Sequence, residues 1–489
     1  MGLARFRPAS VLLILAYSLL LILGIMHHEP WRDEAQTWLA ARDLSIIDNL
    51  RYTRYDACPA LWNLLLVPFA KAGLPYSAQA ILNLLIAVVA VSVFVLRAPF
   101  TFLTKTFFIF SYYIAYEYAV IARHFMLAIL LIFIIISFYR QRFSRPLLYS
   151  FLIFLLSNSS PFAFCFAFPL VLVYIWELAR EKSSPSINVK SCLMAALIMC
   201  FSAPLFLLQV YPYPDSLHSA VFHNICTKIS PAAPLLAVKN AFLPFIGGQN
   251  PVLIVLSLAC LIFLSYPIFL RPRASFIYLS SLGALFSGFI FHMRGELRYD
   301  GFILIFLISG LWLCAYYPPG KTLNTALEGS LKKIHSFVLN IFLSFLVAFS
   351  IYSYYLEIRY YFSGAGDMAA FLVRNNLTQD TVVAQNGLSS SAILAYLPKT
   401  RFWYAGHKRF SSHFIFTREN FLANHVTKEE AIRELKSRFP DSAGRVLLLT
   451  IEPLEVGRQD GFELLHRTKK RVFRVEDEVF YLYRYKGGD

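Results

Sequence analysis

The residues best suited to chemistry lie together near the N-terminus, in the run His27-His28-Glu29-Pro30-Trp31-Arg32-Asp33-Glu34. A carboxylate held in a partly dry cavity gains proton affinity and can deprotonate a hydroxyl or amine, so Asp33 is a candidate general base. Its neighbour Glu34 would point elsewhere and orient a partner or a cation. The bland alternative is that Asp33 only favours the start of a helix, where acids are stabilised by the helix dipole. Two further groups follow. Tyr116-Glu117-Tyr118, with Arg123-His124, sits between apolar blocks. Ionisable groups at membrane depth usually face a cavity and are often functional; the alternative is an Arg–Glu pair with Arg123 snorkelling. The third group is His292-Met293-Arg294-Gly295-Glu296-Leu297-Arg298-Tyr299-Asp300-Gly301. Its arginines match phosphate geometry, Arg298 more than Arg294. Pairing inside the loop with Glu296 or Asp300 is the competing explanation.

The elements that must position these groups are apolar. Hydrophobic residues make up 57% of the 489-residue chain and charged residues 15%, against about 25% charged for a soluble domain. Mean hydropathy is +0.56. Apolar blocks of about 20 residues are long enough to cross a bilayer as helices. They fall at roughly 9–26, 60–74, 77–97, 100–116, 118–139, 147–159, 162–179, 191–209, 251–270, 274–291, 300–317 and 334–357. The weakest is 60–74, which is short and carries Asn63, Pro68 and Lys71. The fold class expected is therefore a polytopic α-helical membrane protein with about 11–13 transmembrane helices.

Net charge is +16. Because the Lys and Arg cluster between apolar blocks, they are better explained as loop charges facing anionic lipid than as a nucleic-acid surface. Arg5, Arg7, Arg140, Arg142, Arg145, Arg180, Arg271 and Arg273 place the N-terminus and those loops in the cytoplasm by the positive-inside rule. Residues 27–59 and everything after about 358 then fall on the outer face. Residues 30–41 are expected to form an amphipathic helix on the membrane interface, anchored by Trp31 and Trp38. Cys58 and Cys226 fall in outer loops and could pair, though no spacing requires it. No zinc spacing occurs. The expected domains are a membrane module at 1–362, with the outer loop 27–59, and an extracytoplasmic soluble α/β domain at 363–489. Helices are expected at 366–375, 389–396 and 427–438, and strands at 381–385, 401–404, 445–451 and twice within 472–485.

With these residues in hand, the chain resembles the GT-C superfamily of membrane glycosyltransferases, which includes protein O-mannosyltransferases and the aminoarabinose transferase of lipid A, and most closely its bacterial members. The resemblance rests on four ordered segments: Glu29 to Leu39, Pro59 to Leu65, Glu117 to Arg123 and Arg298 to Gly301. It covers about the first 320 residues. It implies a GT-C type fold in a bacterial inner (plasma) membrane and inverting transfer of a sugar from a polyprenyl-phosphate donor to a glycan, lipid or protein acceptor. Asp33 would act as base, with Glu34 in support and Glu117 as a second acid. Arg298 would bind the donor phosphate, with Arg123, His124, Arg294 and His292 as further substrate-binding candidates. The sequence assigns no cofactor and leaves a divalent cation open. The chain departs from its relatives at Tyr299, where they more often carry His, and at Cys58-Pro59, where they tend to have Gly-His-Pro. A polytopic transporter or lipid flippase is the rival class, with proline- and glycine-interrupted spans in its favour and no repeated halves to support it. A scaffold whose tail binds a partner is a third.

Overall fold

The computed structural model describes residues 8–181, 188–219, 229–244, 246–291, 296–320, 325–440, 444–455 and 461–487. His292, Arg294 and Cys226 lie outside them. In chain order the helices up to residue 359 are α1 (Pro8–His27), α2 (Arg32–Asp43), α3 (Ile46–Asp56), α4 (Leu61–Lys71), α5 (Ser77–Arg97), α6 (Phe102–Ile109), α7 (His124–Ser137), α8 (Pro146–Ser157), α9 (Pro161–Glu181), α10 (Val189–Val210), α11 (Ala233–Phe242), α12 (Pro251–Phe269), α13 (Pro272–Phe291), α14 (Leu297–Leu313) and α15 (Thr325–Arg359).

Among the described residues, eight of these helices are long and apolar enough to cross a membrane: α1, α5, α9, α10, α12, α13, α14 and α15. The other four expected spans form shorter helices. α4 has 11 residues with Pro68 inside it, α6 has 8, α7 has 14 and α8 has 12. At 1.5 Å per residue none of these four reaches the roughly 30 Å of a hydrocarbon core.

The chain divides into two compact units. The first comprises Met1–Leu23, Leu82–Tyr211 and Val221–Ser353. Its central element is α14, in which every residue from Asp300 to Leu313 is buried. A helix apolar on all sides belongs inside a bundle. Phe302 stacks on Phe162, Phe306 on Phe166, and Trp312 meets Phe94 and Phe133. Between α6 and α7 the backbone leaves α-helical geometry for a π-helical turn at Tyr113–Glu117. Irregular backbone in an apolar setting requires protein partners. The buried Asn83 amide supplies them, donating to the carbonyls of Tyr118 (3.0 Å) and Ala119 (2.9 Å). This is why 100–116 and 118–139 do not form two plain spans.

The second unit comprises Gly24–Ile81, Pro212–Ala220 and Tyr354–Asp489. It contains α16 (Ala365–Arg374), β1 (Thr381–Ala384), α17 (Gly387–Ala395), β2 (Phe402–Tyr404), β3 (Arg409–Ser411), α18 (Arg418–Ala423), α19 (Lys428–Arg438), β4 (Val446–Thr450), β5 (Phe462–Arg467) and β6 (Tyr481–Tyr485). The strands form one mixed sheet in the order β3-β2-β1-β4-β6-β5. β1 runs parallel to β2 and β4, and the remaining pairs are antiparallel. All five β4 residues are buried, as expected for a strand covered on both faces. The core around Val383, Trp403, Leu448 and Tyr483 takes in Ala431 and Leu435 of α19. Thr427 caps α19, accepting from the Glu430 N–H, and the Glu430 carboxylate returns the bond to the Thr427 N–H. Two expected strands within 472–485 become one: Glu476–Glu478 is a 3-10 turn, and β5 lies upstream at Phe462–Arg467, where no strand was expected.

The segment 27–59 belongs to this same unit. Helix α2 does not lie on a membrane interface. Glu34 through Ala41 are all buried, and Trp38, 1% exposed, packs on Tyr76. The reason is that α2 packs against α17, whose Ser389-Ser390-Ser391-Ala392 run is small and buried. Close approach brings polar groups into register. Gln36 donates to Ser391 Oγ (2.7 Å) and accepts from the Phe414 N–H (2.9 Å), and Arg42 donates to the Leu394 carbonyl (3.0 Å).

Candidate functional site

In the second unit the site is built at the start of α2. The N-cap residue is Trp31, in extended backbone, so Asp33 is not the cap; it occupies the first turn. Successive helical residues point about 100° apart, so Arg32, Asp33 and Glu34 face three directions. Arg32 and Glu34 both bond to protein groups. The Arg32 N–H donates to Glu478 Oε1 (3.1 Å) and its guanidinium to Asp477 (2.6 Å). Glu478 is itself buried and accepts from the Ser363 hydroxyl. Glu34, 1% exposed, accepts from His28 Nε2 at 2.9 Å and from the Trp31 N–H at 3.4 Å. Its carbonyl accepts from Gln79 Nε2 (3.1 Å) and the Thr37 hydroxyl (2.9 Å). Asp33 between them is half-exposed.

His28 is the anchor. Its side chain is 3% exposed, and its Nδ1 lies 2.7 Å from Glu357 Oε1 while Nε2 faces Glu34. Ionised carboxylates only accept, so both ring nitrogens must donate, which is the imidazolium form. Burial by itself would lower the His28 pKa, but Glu34 and Glu357 outweigh it and push it up to about 10. Nearby, burial and then the Asp367 charge push the Glu29 carboxyl up to about 8. Asp367 is held by His466 Nε2 (2.9 Å) and the Lys469 N–H (3.1 Å). Glu478 is likewise pushed up to about 8 by burial, against the opposing pull of Arg32 and Ser363.

In the first unit the candidates gather around the π-helical turn and the start of α14. Glu117 ends that turn, is buried, and accepts a hydrogen bond from the Tyr112 hydroxyl. Arg123 is the N-cap residue of α7, and both it and His124 are buried. His124 lies within electrostatic reach of Arg123 and Arg298, so the structure brings these three together. The His124 Nε2 atom is buried and has no hydrogen-bond partner among the described residues. The Arg298 side chain is 12% exposed and sits 3.4 Å from Glu296. The intraloop pair is therefore formed. The Arg298 carbonyl accepts from the Tyr118 hydroxyl (2.6 Å), tying α14 to the π-helical turn.

Asp300 accepts from the Asn240 side-chain amide (2.9 Å), and the Asn240 backbone carbonyl accepts from the Tyr113 hydroxyl (3.0 Å). The next residue must be glycine: a Cβ on Gly301 would overlap the side chains of both Tyr113 and Tyr118. Gly301→Ala is expected to cost about 1–3 kcal/mol through overpacking, seen as a lower melting temperature than the wild type in detergent.

Asp33 and Glu34 thus belong to one unit, and Glu117, Arg123, His124 and Arg298 to the other. Sequence reasoning missed the carboxylate partners of the first loop. Glu357 is 329 residues from His28, and Glu478 is 446 from Arg32. No local spacing carries such pairs; the only visible signal was a histidine inside an acidic motif. Among the described residues no group of three or more His, Cys, Asp or Glu could hold a metal ion. Comparisons with protein-family models, with curated proteins and with solved structures give no match to this chain.

Proposed function

We propose that the chain is a GT-C type membrane glycosyltransferase that moves a sugar from a polyprenyl-phosphate donor to an acceptor on the outer face of a bacterial inner membrane. The observation that carries this reading is the division of labour at the start of α2. Glu34 is buried, and Asp33 is the carboxylate at this helix start that solvent partly reaches. In the reaction the acceptor O–H or N–H gives its proton to Asp33. The acceptor atom bonds to the anomeric carbon from the face opposite the phosphate. The carbon–oxygen bond to phosphate breaks, and polyprenyl phosphate leaves with the electron pair, so the configuration inverts. The resemblance assigns the donor phosphate to Arg298, whose guanidinium suits phosphate geometry, with Arg123 and His124 as further candidates within the first unit. Glu117 is the second acid.

The test uses the purified full chain in proteoliposomes with a panel of labelled polyprenyl-phosphate hexoses and pentoses, a membrane extract as acceptor, with and without divalent cation. Release of polyprenyl phosphate together with labelled acceptor is expected for at least one donor. Passage of intact donor across the vesicle without release would replace this reading with a flippase.

A further inference from the structure

In the first unit, helices α9 and α13 enclose a groove of about 420 Å³, a volume typical of small-ligand pockets, roughly 300–1,000 Å³. Its walls come from matching positions on the two helices: Leu172, Val173 and Trp176 on α9, and Pro272, Arg273 and Phe276 on α13. Leu172, Trp176 and Phe276 are 39%, 41% and 47% exposed, so the apolar floor opens outward from helices that are themselves long enough to cross a membrane.

Among the described side chains, the charge at its mouth is unbalanced. Glu177 is fully buried, and its Oε2 accepts two bonds from Arg142, at 3.0 and 2.8 Å. Its Oε1 accepts from the Tyr317 hydroxyl (3.1 Å) and lies 3.4 Å from the Arg273 guanidinium. One carboxylate therefore serves two arginines. Arg180 adds a third cation, exposed and with no ion pair among the described residues. Both Arg180 and Arg273 lie over the Trp176 ring, at 4.3 and 5.1 Å from its centroid. Two guanidiniums on one indole repel each other, and an anion at the rim removes that repulsion. An arginine pair over an interfacial tryptophan, above an apolar groove between spanning helices, matches an anionic lipid: chain below, phosphate above.

We propose that this groove holds an anionic phospholipid of the surrounding bilayer, its acyl chain along Leu172, Val173 and Phe276 and its phosphate between Arg180 and Arg273. The site is separate from the proposed transfer chemistry, so it stands or falls independently of that reading.

Trp176 reports occupancy directly. The full chain is placed in phosphatidylcholine nanodiscs containing either brominated phosphatidylglycerol or brominated phosphatidylcholine at equal mole fraction. The Trp176 component of quenching is the difference between the wild type and Trp176→Phe. Brominated phosphatidylglycerol is expected to quench it at a much lower mole fraction than brominated phosphatidylcholine. Arg180→Gln, at an exposed position without an ion pair among the described residues, should raise the phosphatidylglycerol requirement about fivefold and leave phosphatidylcholine quenching unchanged. Arg273→Gln should do the same as a second, independent variant. Equal quenching by the two lipids in the wild type, or unchanged selectivity in Arg180→Gln, overturns the proposal.

Discussion

Asp33→Asn is expected to abolish sugar transfer while leaving the protein folded. The size of the two effects separates a base from a mere helix-start acid. A carboxylate in the first turn of a helix contributes about 0.3–1 kcal/mol through the dipole, and Asn keeps the shape of the side chain. Because Asp33 is half-exposed and Trp31, not Asp33, is the N-cap residue, the melting temperature should scarcely move. A general base contributes about 10²–10⁴-fold in rate, equivalent to roughly 3–5 kcal/mol of barrier. The measurement is kcat and KM for transfer from a polyprenyl-phosphate sugar, together with a thermal melt of the same preparation. The expected result is a collapse of kcat with KM nearly constant. Retention of more than a tenth of the wild-type kcat by a folded Asp33→Asn protein would remove Asp33 from the chemistry. Glu34→Gln is the informative contrast. Glu34 is buried against His28, so its substitution should act on stability first.

Removing His28 should have the largest effect on stability. The imidazolium is the cation between Glu34 and Glu357, both essentially inaccessible to solvent. His28→Ala leaves two buried carboxylates facing each other. Losing one partner of a buried ion pair typically costs about 3–5 kcal/mol. For a unit of this size that lowers Tm by roughly 6–20 °C. If charge rather than packing is responsible, His28→Leu combined with Glu34→Gln and Glu357→Gln should recover most of the loss, since uncharged replacements of buried ion pairs are often neutral.

The same group sets a pH dependence. The folded His28 pKa, about 10, lies above its unfolded value of about 6.5, so the folded state holds the extra proton. Its contribution is complete below about pH 6.5 and is lost as pH rises through 10. The Glu29 and Glu478 carboxyls, raised to about 8, act in the same direction: they favour the folded state below their unfolded range and oppose it as pH climbs through 8. Thermal stability should therefore decline from about pH 6.5 toward pH 10, and His28→Ala should flatten the upper part of that decline. A wild-type melting temperature that rises across this range would contradict the imidazolium assignment.

Much of the architecture could be read from local pattern. Runs of apolar residues determined the eight long helices, because length and hydropathy are properties of a contiguous segment. The helices α16, α17 and α19 and the strands β1, β2 and β4 were legible for the same reason: capping residues such as Thr427 and β-branched runs such as Thr381-Val382-Val383 act within one turn or one strand. The acidic motif at 27–34 marked the place of interest as well.

Tertiary structure decided what that motif became. The pattern of α2 looked like a helix on a membrane interface; it packs instead on α17, with Gln36 bonded to Ser391 more than 340 residues away. Local pattern shows that a face is apolar, not what covers it. The expected spans at 100–116 and 118–139 gave way to the π-helical turn because tyrosines, Glu117 and Asn83 satisfy one another there. Most of all, the pairing of Arg32 was set by Asp477 and Glu478, and that of Glu34 by His28, itself paired with Glu357. The sequence by itself determined which carboxylates stand at the start of α2. Only burial and long-range ion pairing, which depend on residues brought close by folding, decided that Glu34 is held and Asp33 remains half-exposed.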